Sequence, residues 1–294
     1  MRPTSVSPRS TVNPEVNVDA LPPGAIDPDA LDLGVFSRPE LRALGLSDAD
    51  LRRKVRRGEL LVARRGWYSQ PEADSDAVTA ARRYGALSCV STLRKLGFWV
   101  PPGYESLHVR AGKSAGRRRA DYCRAPGPPL PVTTIADTTG VALACAAGCM
   151  RDDDWIATCD SAMHTLGIDA ADLRLMLPRS NQLIEGMLLE SDPRSMSGTE
   201  SLVRVRCRRA GFEVDVQPEI SDTEHADLRI GRLLIECDSV LYHVSPENYR
   251  NDRHRDRRSL TRGDPTLRLT YDDVLYGWDD TLADITTIVE AFGA

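Results

Sequence analysis

The chain has 294 residues, enough for two or three cores, because single cores usually stop growing near ~250 residues. Its 38 basic and 43 acidic side chains leave a net charge of −5, which excludes a uniformly basic nucleic-acid coat and restricts phosphate contacts to local patches. No apolar run reaches the ~20 residues of a membrane-spanning helix, and no N-terminal segment has the apolar centre of a signal peptide. A cytoplasmic protein with no membrane partner is the expectation, its thiols kept reduced.

Residues 1–33 carry Pro3, Pro8, Pro14, Pro22, Pro23 and Pro28 and few large apolar side chains, a composition that favours a disordered leader. Order is expected from Gly34. Ser37 followed by Pro39 and Glu40 reads as a capped helix start, with the helix ending at Gly45. Ser47 caps a second helix with Asp48 and Asp50 in its first turn, ending at Gly58. In that helix Leu51 and Val55 fall on one face, which turns Arg52, Arg53, Arg56 and Arg57 outward. Leu60–Arg64, a tight turn at Arg65–Gly66 and Trp67–Ser69 then read as a hairpin. Helix, turn, basic helix and hairpin over 34–72 is the order of a winged helix-turn-helix. There the second helix enters the major groove and the hairpin tip, here Arg64 and Arg65, touches backbone. A solvated basic face is the competing reading.

Residues 73–190 read as a mixed α/β middle domain. Helices are expected over 77–84, 89–96, 137–150, 153–166 and 170–177, with a short strand at Leu107–Val109. The loop Lys113–Arg119 is basic, and a solvated loop is its plain reading. His108 and His164 have no neighbouring ligand types in sequence and read as structural histidines. The seven cysteines contain no C-x-x-C pair, and Cys145 and Cys149, one helical turn apart, read as small core residues.

Residues ~34–190 resemble the antitoxin side of abortive-infection (AbiEi-type, type IV) toxin–antitoxin systems. The resemblance rests on Leu51–Tyr68, with its R-R-G-E-L…R-R-G-W-Y pattern, and on Pro131-Val132-Thr133-Thr134 leading into helices. It implies a winged helix followed by an α/β domain, repression of the protein's own operon, and a cognate toxin as partner.

The segment 191–294 differs in kind. Ser197 opens a helix over 200–210, with Glu200 at capping-box spacing. Strands are expected at 212–217, 225–231 and 232–238, then a polar helix from Pro246 and a strand at Leu267–Thr270, so a small mixed sheet flanked by helices. Strand alternation puts Glu236 and Asp238 on one face and Ile235 and Cys237 on the other, with Asp227 on the adjacent strand. Carboxylates gathered this way repel one another unless a cation sits between them, and hard oxygen ligands suit Mg²⁺ or Mn²⁺. On the following helix Asp252, Arg253, Arg255 and Asp256 recur at helical spacing, and His243 lies between strand and helix. The bland alternatives are solvated edge-strand acids, a salt-bridged surface helix, and a Glu200 that only completes a capping box.

This ordered run is similar to the very-short-patch-repair-like branch of the PD-(D/E)xK nucleases, matched here by Glu200, Asp227, Glu236 with Asp238, Tyr242-His243, Asp252 with Arg253 and Asp256, and Arg268. The resemblance implies that Asp227 and Glu236 hold the metal with the Cys237 carbonyl, that His243 and Asp252 manage protons or water, and that Arg253 meets the phosphate. Asp238 stands where the core motif has lysine, and Ser239 where glycine is usual. Two functions follow as expectations: a metal-dependent DNA endonuclease, or a repressor or antitoxin that keeps the nuclease shape without its chemistry.

Overall fold

The computed structural model describes residues 31–112, 121–221, 224–238 and 264–292. Strand β1 (Val35–Ser37) leads into α1 (Arg38–Ala43) and α2 (Asp48–Arg56), followed by β2 (Leu61–Arg64) and β3 (Trp67–Ser69). Both helix starts expected from sequence are present, and each is a full capping box: Ser37 with Glu40, and Ser47 with Asp50. The hairpin turns at Arg65–Gly66, where Gly66 takes φ +79. Strand β1 is an addition to the expected hairpin and makes the sheet three-stranded, in the antiparallel order β1-β3-β2.

The core under these two helices is small: Leu41, Leu51 and Leu60, with Phe36, Leu46, Val55 and Tyr68 partly buried around them. At about 2 kcal/mol each, three leucines do not offset an ordering cost of about 1–2 kcal/mol per residue. The unit is therefore held from behind. Val35 and Trp67 turn the other way and pack with Ala77, Ala80, Ala81, Leu87, Val109 and Ile135.

The middle region contains α3 (Ser75–Arg82), β4 (Gly85–Leu87), α4 (Cys89–Lys95), β5 (Val109–Ala111), α5 (Thr139–Ala146), α6 (Asp152–Leu166), α7 (Ala170–Met176) and α8 (Gln182–Glu190). Strands β4 and β5 pair antiparallel, Gly85 opposite Ala111. A Cβ at Gly85 would meet the Arg110 carbonyl at 2.4 Å, so no side chain fits there. Helix α5 is apolar on every side and buried, and the Trp155 indole of α6 donates to the Leu143 carbonyl at 2.9 Å. The stretch Pro131–Thr134 does not lead directly into a helix: it is irregular, and Arg110 donates to the carbonyls of Leu130 and Pro131 while gripping Asp137 with two 2.6 Å bonds. The expected strand at Leu107–Val109 lies two residues later, the expected helix 137–150 shrinks to α5, and β4 and α8 were not anticipated.

The last region begins with α9 (Gly198–Arg209) and continues with β6 (Asp215–Val216), β7 (Glu219–Ser221), β8 (Glu224–His225), β9 (Leu228–Ile230), β10 (Leu233–Cys237), β11 (Thr266–Leu269), α10 (Tyr271–Leu275) and α11 (Trp278–Phe292). The main sheet has the order β11-β10-β9-β6, with β10 and β11 parallel and the other pairs antiparallel. Helix, meander and a parallel fourth strand agree with the expected mixed α/β class. The strands are shorter than expected: 212–217 contracts to β6, and 225–231 divides because His225 pairs back to Glu219 in a separate hairpin. Helices α10 and α11, unanticipated, close the core with Val274, Ile285 and Val289.

Helix α9 lies against α6. Gly198 makes room for the Trp99 ring, whose atoms would lie 2.0 Å from a Cβ there. Arg204, fully buried, reaches Asp160 at 2.5 Å and the Glu190 carbonyl at 2.6 Å, while Asp160 also accepts the Asp192 N–H at 2.8 Å. Arg206 bonds Asp153 at 2.7 Å and the Val274 carbonyl at 2.6 Å with Trp278 under its guanidinium.

Candidate DNA-contacting face and acidic pocket

Arg52, Arg53, Arg56 and Arg57 all emerge exposed from α2, on the side opposite buried Leu51. Cations in a last helical turn suit the helix dipole, but that effect is worth only about 0.3–1 kcal/mol and does not call for four arginines. Arg53 pairs with Asp50, and Arg57 stands 3.7 Å from Glu59. Among the described residues Arg52 and Arg56 have no ion-pair partner. Asp48, at the start of α2, is engaged by Arg38 and Arg42, whose hydrogen bonds hold its carboxyl down at about 2. It stays an anion bound to its own arginines.

Arg65 is exposed at the hairpin tip, as the sequence suggests, but Arg64 is not. Its guanidinium lies 4.8 Å from the Trp67 ring and 5.1 Å from the Tyr84 ring, with Nε buried and lacking a hydrogen-bond partner. Burial lowers its pKa. The cause is a bulge between Val62 and Arg64, which shifts the pairing so that Arg64 lies opposite Trp67. Arg64 is thus a packing residue of the wing.

In the C-terminal region the sheet brings Glu200, Asp227, Glu236 and Cys237 together. Asp227 Oδ2 accepts the backbone N–H of Cys237 at 2.7 Å, which fixes the β9 side of the pocket to the end of β10. Glu236, half-buried, stands in register with Arg268 of β11. The Cys237 thiol is pushed well up by burial and then by the charges of Asp227, Glu200 and Glu236, so all three carboxylates lie within electrostatic reach of it.

Glu200 is only 4% exposed, and the capping reading gives half its role. Ser197 Oγ accepts the Glu200 N–H at 3.2 Å, but the Glu200 carboxylate returns to the Met196 N–H at 3.0 Å. Its Oε2 also accepts from the Gln217 amide at 3.0 Å. Burial, then the charge of Asp227, pushes the Glu200 carboxyl up to about 7. Gln217 is a site residue that sequence reading did not identify. Its backbone takes φ +52, unusual for a side-chain-bearing residue, and its N–H donates to the Asp227 carbonyl at 2.9 Å. One strained residue thereby joins Glu200 to the Asp227 backbone; no composition or spacing signal announces it.

Asp238, the residue after β10, is exposed, its N–H bonded to the Leu269 carbonyl at 2.9 Å. His243, Asp252 and Arg253, with Tyr242 and Asp256, lie outside the described residues, as do the leader through residue 30 and the loop Lys113–Arg119. The described Cys, His, Asp and Glu side chains whose ligand atoms close to within 4.8 Å of one another are not these acids but Cys89, His108, Cys123 and Cys149, a set too soft for Mg²⁺.

Residues 30–69 match the model of a family described as a transcriptional regulator, AbiEi antitoxin. The N-terminal unit is similar to those regulators. The match takes in both helices and the wing, including every arginine of the exposed face, and ends before the middle region and the C-terminal pocket. No curated protein gives a match to the chain.

Proposed function

We propose that the protein is a DNA-binding transcriptional regulator of the antitoxin kind, with α2 in the major groove and the Arg65–Gly66 turn against phosphates. The observation that carries this reading is the outward face of Arg52, Arg53, Arg56 and Arg57, inside the stretch matched by the regulator family. A cognate toxin is the protein partner that the family description suggests. Duplexes from upstream of its own gene, titrated by fluorescence anisotropy, should bind with log K falling linearly in log salt, at a slope of about −0.9 per phosphate neutralised. The double variant Arg52→Ala/Arg56→Ala should flatten that slope by about 2 and weaken binding roughly 10- to 100-fold at moderate salt. Salt-independent binding, or none to any duplex, removes the reading.

A second reading is favoured by the acidic pocket: a metal-dependent endonuclease. The carboxylates of Glu200, Asp227 and Glu236 and the Cys237 carbonyl would offer an all-oxygen donor set of the sort that suits Mg²⁺ or Mn²⁺ if an ion drew them together. Such an ion polarises a phosphodiester and lowers the pKa of an attacking water. Glu200, ionised in the ion's field and oriented by Gln217, would face the ion beside Asp227, and Asp238, His243, Asp252 and Arg253 would serve water and phosphate. Supercoiled plasmid with Mn²⁺ should then be nicked by the wild type but not by Asp227→Asn or Glu236→Gln, both of which keep their affinity for the promoter duplex. Intact plasmid alongside retained promoter binding would leave the regulator reading alone.

A further inference from the structure

We propose that Cys89, His108, Cys123 and Cys149 hold a zinc ion in a closed structural site of the middle region. Four ligand-type side chains converge there from four separate segments, and their candidate ligand atoms all lie within 4.8 Å of one another. Cys149 Sγ is 3.8 Å from Cys123 Sγ, which is 3.3 Å from His108 Nδ1. Sulfur at ~2.3 Å and nitrogen at ~2.0–2.1 Å from a tetrahedral zinc must stand ~3.8 Å (S–S) and ~3.5 Å (S–N) apart, so the Cys149–Cys123 and Cys123–His108 distances already approximate two edges of that tetrahedron. Three thiolates and an imidazole select zinc over the hard cations that carboxylates prefer, and four protein ligands leave no open position for substrate.

The backbone is built around the same point. Cys89, the first residue of α4, takes φ +53, a conformation that a side-chain-bearing residue seldom adopts. A merely apolar cysteine in a core does not need it. The Ser88 N–H donates to the His108 carbonyl at 3.2 Å, and the His108 N–H donates to Ser91 Oγ at 2.9 Å, which ties the histidine to the start of α4. Cys123 is fixed by its N–H on the Val109 carbonyl at 2.9 Å. Helix α5 ends at Ala146, and the Cys149 N–H turns back to the Ala146 carbonyl at 2.8 Å, so Cys149 leaves the helical face that Cys145 occupies. One expectation is corrected: His108 has ligand-type neighbours, while Cys149 packs against the core as expected and also faces this cluster. The long spacings hid the set from sequence reading, and zinc here would pin α4, β5 and the end of α5 together.

The test uses the full chain, purified without chelator and with any metal-binding tag removed. Elemental analysis should find roughly one zinc per chain, released when a mercurial reagent titrates the thiols. Replacement of zinc by Co²⁺ in the wild type should give the visible absorption bands of tetrahedral thiolate cobalt, and His108→Ala should shift them. Cys123→Ser and Cys149→Ser should lower metal content at least ~10-fold, whereas Cys145→Ala, outside the set, should retain it. The cobalt spectrum of the wild type stands even if a ligand variant fails to fold. Reduced wild-type protein that carries no zinc and binds neither Zn²⁺ nor Co²⁺ at micromolar concentration overturns the proposal, as does a Cys123–Cys149 disulfide in protein from a reducing cytoplasm.

Discussion

Arg204→Ala should lower the folding free energy by about 3–5 kcal/mol, read as a drop in the denaturation midpoint. Arg204 and Asp160 are both fully buried. Burial raises the Asp160 carboxyl above its ordinary value, and the Arg204 charge is the largest influence that opposes the rise. Removal of the guanidinium leaves three debts in one place: an acid without its cation, the Glu190 carbonyl without its 2.6 Å donor, and Ser195 Oγ without its contact to Nε. The acid can escape by taking up a proton, so the loss should be larger at pH 8 than at pH 5. An apolar pair, Arg204→Met with Asp160→Leu, tests the assignment further. Such replacements are often neutral in proteins, but here Asp160 also accepts the Asp192 N–H, which the double variant orphans. The double variant should therefore recover only part of the loss. Equal stability of Arg204→Ala and wild type across this pH range would contradict the assigned role.

The parts of this fold legible in sequence are those set by local chemistry. Ser37 and Ser47 announce their helices because a cap and its acid three residues later are a local motif, and the glycines at 45 and 58 close them with positive φ. The outward arginines of α2 follow from helical periodicity, and the facing of Glu236 away from Ile235 follows from strand alternation. What escaped depends on register or on distant partners. Arg64 turned inward because one bulge moved it opposite Trp67, which a pattern of period two cannot show. Glu200 looked like half of a capping box, whereas its charge state is decided by burial and by Asp227, twenty-seven positions away. Cys89, His108, Cys123 and Cys149 come together only because β4 pairs with β5 and the chain turns after α5. Helix α11 had a readable signal in Ile285, Ile288 and Val289 at helical spacing.

Glu200→Gln should stabilise the metal-free protein by about 3 kcal/mol at pH 8 and by almost nothing near pH 4. The direction follows from where the proton sits. The Glu200 carboxyl titrates near its ordinary value of 4.5 when unfolded and at about 7 when folded. Below both values each state holds the proton, and the group contributes no difference. Between them only the unfolded chain ionises, so wild-type stability falls by about 1.4 kcal/mol per pH unit, and above pH 7 the deficit is constant. Glutamine keeps an acceptor for the Met196 N–H and carries no charge to desolvate. The difference between variant and wild type, followed by denaturation from pH 4 to 8, cancels the histidines common to both and isolates this one group. A difference that stays flat across that range would show that Glu200 ionises normally. The same titration separates the two functional readings. A divalent cation held among Glu200, Asp227 and Glu236 favours the ionised carboxylate, so Mn²⁺ should restore wild-type stability at pH 8 by RT ln(1 + [Mn²⁺]/Kd) and leave Glu200→Gln little changed. With no such restoration, Glu200 is a buried polar strut between α9 and Gln217 and holds no ion. DNA binding would then rest on the arginines of α2 and the Arg65 turn.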